Sequence, residues 1–429
     1  MKLLLKQVII SDQHSTHNGQ LKDIYIENGV IQSISDDLTV TDDVTVVQQA
    51  GLHASPGWVD TFSHFCDPGH EYKETIETGA AAAAAGGFTH AFTLPNTQPA
   101  LSTKSMIEYV VQRAKPLPVT VLPLGAITKN AEGHELAEMY DMRNSGAVAF
   151  TDGLYPVQTA GLLLKALQYV KAFNGVVVQQ PINQSMARLG LMSEGIVSTQ
   201  MGLPGIPQVA EEIMVARDIE LAAYTNSRLH LTGISTANAV NLIKQARSKG
   251  VAVTCSVTPY HLFFCDEDLA GYDTNLKVDP PLRNRQNMMA LRQAVADGHI
   301  DCIASHHMPH DWDNKVCEFE YAKPGMEGLE SCFMAVNTLF PDLPISRLLQ
   351  LFTTNARQIF NLAPATIAES QIADITLFSQ SIENIFNPHN IKSKCTNNAF
   401  VGQLLKGQVI GIINKDQLYL NQLNKTLWK

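Results

Sequence analysis

From residue 56 onward the chain alternates between short apolar runs and amphipathic stretches. The runs at 57–62, 88–94, 119–124, 147–151, 176–179, 228–232, 251–257 and 301–305 read as buried strands, because strands covered on both faces are apolar throughout. Helical patterns at 135–144, 160–173, 211–225, 237–249 and 287–296 lie between them. Gly146, Gly250 and Gly298 follow such patterns, where a helix must end and the chain turn into a strand. Eight strands alternating with helices over about 300 residues predict a (β/α)8 barrel of the TIM type, an α/β fold. Barrels of this kind place functional side chains at the C-terminal ends of their strands.

The flanking segments follow a different rule. Residues 23–34 alternate apolar and polar about Asn28-Gly29, a dipeptide suited to the two positive φ angles of a hairpin turn. Together with 44–47 they predict a small antiparallel sheet. Strand patterns return at 372–378, 407–413 and 417–420. Neither terminal segment alone buries a core. The expected organisation is therefore a composite β-sandwich domain from 1–54 plus 363–429, and a barrel from 55–362. The linker 181–207 is long enough to cover the barrel mouth.

Composition narrows the partners. Thirty-one basic against 41 acidic residues leave a net charge of −10, which argues against nucleic acid or an anionic membrane. The 7 cysteines contain no Cys-x-x-Cys pair and fit reduced thiols in a cytoplasmic protein. No apolar run is long enough to span a bilayer.

Specific stretches go further. Gly57–Gly69 runs from a buried strand into a polar turn, followed by Tyr72-Lys73-Glu74-Thr75-Ile76-Glu77-Thr78-Gly79. Later come Leu94-Pro95-Asn96-Thr97, Gly125-Ala126-Ile127-Thr128, Val257-Thr258-Pro259-Tyr260-His261-Leu262, Pro280-Pro281-Leu282-Arg283, His307-Met308-Pro309-His310 and Ala373-Asp374. In this order they resemble the dihydroorotases of the amidohydrolase superfamily, over nearly the whole chain. The resemblance implies a barrel of the amidohydrolase type, a place in pyrimidine biosynthesis and zinc chemistry on a cyclic amide. Asp152, rather than a lysine, near the end of the fourth strand is similar to the dihydroorotase branch.

The same resemblance shows where this chain departs. The family's first strand carries His-x-His; here the positions are Phe62 and His64. Phe62 cannot ligate zinc, whereas His64 and Asp152 remain as vestigial ligands. Gln179 stands where the family has a histidine on the fifth strand, and Gly233 where it has one on the sixth. His306 occupies the place of the catalytic aspartate. His230, three residues before Gly233, is expected to be structural. Among substrate contacts, Cys66 replaces an arginine and Asp279 an asparagine, while Asn96 and His310 are retained. Cys66 cannot supply the bidentate fork that holds a carboxylate.

These departures imply a non-catalytic homologue with no cofactor, a homodimer by family habit, and a structural partner for aspartate transcarbamoylase, as in related inactive chains. The alternative is a rebuilt cyclic amide hydrolase with one zinc held by His64, Asp152, His306 and Cys66. A third reading is a pocket for a neutral metabolite. The acidic, aromatic loop 311–328 is expected either to border the site or to form a docking surface.

Overall fold

The computed structural model describes residues 1–39 and 43–421; residues 422–429 of the expected terminal domain lie outside the described residues. Three parallel strands begin the barrel: Trp58–Ser63, Phe88–Thr93 and Thr120–Pro123. Four more, Val176–Gln179, Arg228–Leu231, Val253–Val257 and Cys302–Ile303, form a second parallel set. The fourth position in the ring is reduced to a contact at Phe150, which bridges Gly125 on one side and Val177 on the other. The ring closes where His64 N–H donates to the His307 carbonyl at 2.9 Å. The expected (β/α)8 order is thus present, with the fourth strand almost entirely unladdered.

Two apolar layers hold the barrel. Val59, Phe62, Phe92, Val176, Val178 and Phe360 pack inside the ring. Trp58, Phe88, Val177, Leu229 and Leu231 face outward against the helices. Alternation separates Val177 from Val176 and Val178, while register shifts between the first two strands let Trp58 and Phe62, of equal parity, reach different layers. Helix Ile76–Ala85 begins where Thr75 accepts from Thr78 N–H and buries a face of alanines. Small residues are required there: a Cβ on Gly79 would stand 2.5 Å from Phe65 Cδ1.

The two ends of the chain share one branched sheet of eight strands. His53–Pro56 pairs antiparallel with Ile375–Ile385, which joins the N-terminal strands to the C-terminal ones. The N-terminal part is not purely antiparallel as expected: Thr45–Gln48 and His53–Pro56 both run parallel to Lys2–Ile10. Asn28 and Gly29 do take φ angles of 52° and 74°, closing the predicted hairpin. Arg357 fastens this sheet to the barrel by donating to the Gly57 carbonyl at 3.0 Å and to Asp374 at 2.6 Å. Trp58 adds ring contacts with Phe333, Phe352 and Phe378 at 4.7, 5.4 and 5.4 Å, pairs worth about 0.5–1.5 kcal/mol each beyond burial.

The linker 181–207 is ordered by helices Gln184–Ala187 and Ile196–Met201 and a two-stranded ribbon, Met192–Ser193 with Gly205–Ile206. It contributes Gln184 to the wall of the mouth. No helix among the described residues is long and apolar enough to cross a membrane.

Candidate functional site at the barrel mouth

A cavity of about 900 Å³ opens at the C-terminal ends of the strands. Phe62, His64, Cys66, Asn96, Asp279, His306 and His310, all singled out from the sequence, reach its wall; Asp152, Gln179 and Gly233 do not.

Phe62, His306 and Gly233 fit one another. The ring of Phe62 stacks on that of His306, with centroids 4.3 Å apart and planes 26° from parallel. A Cβ on Gly233 would stand 2.7 Å from His306 Cε1, so His306 occupies the space a side chain at 233 would need. His306 takes φ 45°, and its Nε2 lies 2.7 Å from Thr232 Oγ1. Thr232 continues to Ser256 at 2.8 Å, and Ser256 to His230 Nε2 at 3.2 Å. His230 ends the chain on Thr254 at 2.9 Å. It is a satisfied interior histidine, in register with the inner-layer Val178 rather than on the far side of the strand. Burial, with His261 and His230 adding to it, holds the pKa of His306 well below 6.5, so the ring is neutral.

The two retained ligand candidates are already engaged. Cys66 N–H donates to His64 Nδ1 at 3.2 Å, which leaves the proton of the neutral ring on Nε2. Burial lowers the His64 pKa to about 3. Asp152 accepts from Thr128 with both oxygens, from the backbone N–H at 2.9 Å and the hydroxyl at 2.6 Å. Burial raises its pKa while Thr128 opposes the rise. Asn96 is turned to the backbone, donating to the Asp152 carbonyl and accepting from Leu154 N–H, both at 3.0 Å.

Strand parity corrects the fifth-strand assignment. Gln179 is the register partner of Leu231, which belongs to the outer layer, so its amide points away from the mouth. Gln180 is the residue that faces the cavity. Both amide atoms of each glutamine are buried without a partner. Burial raises the Asp279 pKa to about 6; Arg283 opposes the rise and Glu211 adds to it. Burial also pushes the Cys66 thiol up, away from the thiolate. His310 donates from Nε2 to the Pro324 carbonyl at 3.0 Å, leaving Nδ1 buried and unpartnered.

Loop 311–328 does border the cavity, through Lys323, Pro324 and Gly325. Lys315 Nζ ties it down by donating to the Lys323 and Gly325 carbonyls, each at 3.0 Å.

One cluster escaped sequence reasoning. His307 is fully buried between Glu74 and Glu327, with N···O distances of 3.4 and 3.5 Å. Burial alone would lower its pKa, but Glu327 and Glu74 outweigh this and raise it to about 9. Glu74 is tied in turn to Thr78 and Ser393. The motifs holding Glu74 and His307 were visible; their meeting required the closed ring.

Among the described residues, the one triad of His, Cys or carboxylate ligand atoms lying within 4.8 Å of one another is Cys265, Asp266 and Glu267, three consecutive residues outside the cavity wall.

The fold is shared with solved hydantoinase and dihydropyrimidinase structures. L-hydantoinase from Arthrobacter aurescens superposes with a TM-score of 0.83 at 21% identity, over 98% of this chain and 96% of that one. Dihydropyrimidinase from Brevibacillus agri gives 0.82 at 20% identity, over 98% and 95%. Residues 51–239 match the family model described as dihydro-orotase-like. The dihydroorotase of Syntrophus aciditrophicus is 39% identical over 96% of this chain and 97% of its own length. That of Pelotomaculum thermopropionicum is 40% identical over 95% and 96%. The chain belongs to the dihydroorotase family.

Proposed function

We propose that this member of the dihydroorotase family has lost its metal chemistry and serves pyrimidine biosynthesis as a structural partner, with aspartate transcarbamoylase as its partner enzyme. The carrying observation is the stack of Phe62 on His306 in the space beside Gly233. Zinc needs lone pairs from histidine or carboxylate gathered about one point, with a position left open for water. The residues present do not fit a zinc pair. Phe62 and Gly233 offer no donor atom, and Gln179 points out of the mouth. His64 commits its free lone pair to Cys66 N–H, and Asp152 both oxygens to Thr128. His306 directs Nε2 to Thr232. Cys66 carries a buried thiol whose raised pKa opposes the thiolate a metal would take.

Two measurements test this reading. The purified chain, with and without added zinc, should neither open nor close dihydroorotate; turnover lost on His64→Ala would establish the single-zinc alternative instead. Mixed with aspartate transcarbamoylase, the chain should co-elute as one complex. Separate elution at physiological concentration would remove the proposed partnership.

A further inference from the structure

From Trp312 to Tyr321 the chain mixes aromatic, acidic and basic side chains within a few residues, and the fold sorts them. Lys315 and Phe319 turn inward and are buried. Lys277, buried in the adjoining segment, donates from Nζ to the Phe319 carbonyl at 2.6 Å and to the Glu320 carbonyl at 3.1 Å. With Lys315 held on the Lys323 and Gly325 carbonyls, both ammonium groups are spent on the backbone of the loop. Thr274 Oγ1 donates to the Lys315 carbonyl at 2.6 Å, and Lys323 N–H to the Asn314 carbonyl at 3.0 Å. The loop is therefore fixed from beneath, and a surface already in shape loses less on binding.

What remains outside is aromatic and acidic. Trp312 is 70% exposed and Tyr321 72%, although rings of this size ordinarily bury most of their surface. Tyr272 of the adjoining segment is exposed as well, its ring meeting Phe319 edge-on with centroids 6.3 Å apart. Asp313, Glu318 and Glu320 are exposed between Trp312 and Tyr321 in sequence. Among the described residues no cation forms an ion pair with any of the three. Lys323, the other cation of the loop, lines the mouth cavity.

Charge selects what can cover this face. A second copy paired through it would set the same carboxylates against one another. Nucleic acid and anionic lipid are repelled in the same way. A basic protein surface is attracted, and arginine suits both components: its planar guanidinium stacks on Trp and Tyr rings and forms bidentate bonds with carboxylates, whereas lysine acts as a point charge. Tryptophan, tyrosine and arginine are also the residues that most often carry the energy of an interface.

We propose that loop 311–328, with the turn at Tyr272, docks a basic protein surface whose arginine side chains stack on Trp312 and Tyr321 and pair with Asp313, Glu318 and Glu320. This rests on the partner role proposed above, to which it adds the surface and its chemistry.

The test uses two probes on the full chain, a peptide of alternating arginine and glycine and its lysine counterpart. In calorimetric titration the arginine peptide should bind saturably and at least tenfold more tightly than the lysine peptide. Trp312→Ala with Tyr321→Ala, which leaves the charge unchanged, should weaken that binding at least tenfold. Glu318→Gln with Glu320→Gln should weaken it too and reduce its dependence on salt. The melting temperature of each variant shows that it is folded. No binding of the arginine peptide, equal binding of the two peptides, or binding that survives in the folded aromatic variant would each overturn the proposal. Mixing with aspartate transcarbamoylase separates the two claims. The parent should co-elute and the aromatic variant should not. Co-elution of both would overturn the docking face and leave the partnership standing. Co-elution of neither would remove that partnership, and the peptide titrations would then decide for or against the docking face by themselves.

Discussion

The phenyl ring of Phe62 lies against the imidazole of His306, centroids 4.3 Å apart, in the wall of the mouth cavity. His306 can adopt that pose because residue 233 has no side chain. Residues at the ends of the first, sixth and eighth strands therefore form a single packed arrangement. A side chain at 233 would collide with His306 as it is placed here.

That dependence can be measured as stability. Gly233 has φ +67°, and its Cβ would approach His306 Cε1 to 2.7 Å. Gly233→Ala should therefore cost about 2–4 kcal/mol, combining backbone strain with overpacking. In a His306→Ala background the clash is gone, and about 1–2 kcal/mol of left-handed backbone cost should remain. Denaturant unfolding of the four proteins in this double-mutant cycle gives the coupling; additive effects would contradict the packing described.

Metal binding should follow the same logic. Phe62→His alone adds a donor beside a ring that blocks it, so zinc affinity should stay near that of the parent. Phe62→His with Gly233→His and His306→Asp opens the space and returns ligands to three strands. This triple variant should gain at least about tenfold in zinc affinity, the scale by which even supporting residues alter metal sites. Competition with a chromogenic chelator measures it.

The buried His307 makes stability depend on pH. Its folded pKa is raised from 6.5 to about 9 by Glu327 and Glu74. A raised histidine contributes stabilisation that is fully present below its unfolded pKa and is lost as pH rises through the folded value. The parent should accordingly weaken between pH 6.5 and about 9. His307→Gln should be less stable than the parent at pH 6, and the difference should shrink across that window. Urea midpoints from pH 6 to 10 read both slopes.

Thiol chemistry gives an independent check on burial. Six of the seven cysteines are buried and only Cys317 is half-exposed. Burial raises the thiols of Cys255 and Cys395 to about 12. A thiol reagent at neutral pH should modify Cys317 first in the folded protein and reach the other six only on unfolding. Peptide mapping identifies the site; rapid labelling of Cys66 would contradict its burial in the cavity wall.

The barrel was legible because strand and helix periods alternate along the chain; which positions to compare for zinc donors came only from the resemblance to the dihydroorotases, and there the residue type decides whether a donor is present. Relations between strands were not legible. Local sequence does not show that Thr128 satisfies Asp152, or that His306 fills the space beside Gly233, since these residues meet only when the ring closes. The fifth strand shows the limit most clearly. Two adjacent glutamines look alike in sequence, and only the register with Leu231 turns Gln179 outward and Gln180 inward.

The most direct measurement is the zinc content of the purified chain, by mass spectrometry, after equilibration with zinc and removal of loose ions. The account predicts no stoichiometric metal, because Phe62, Gly233 and His306 leave no gathered set of donors at the mouth. One or two tightly held zinc ions per chain, lost on His64→Ala, would contradict it and restore this protein to the metal-dependent hydrolases.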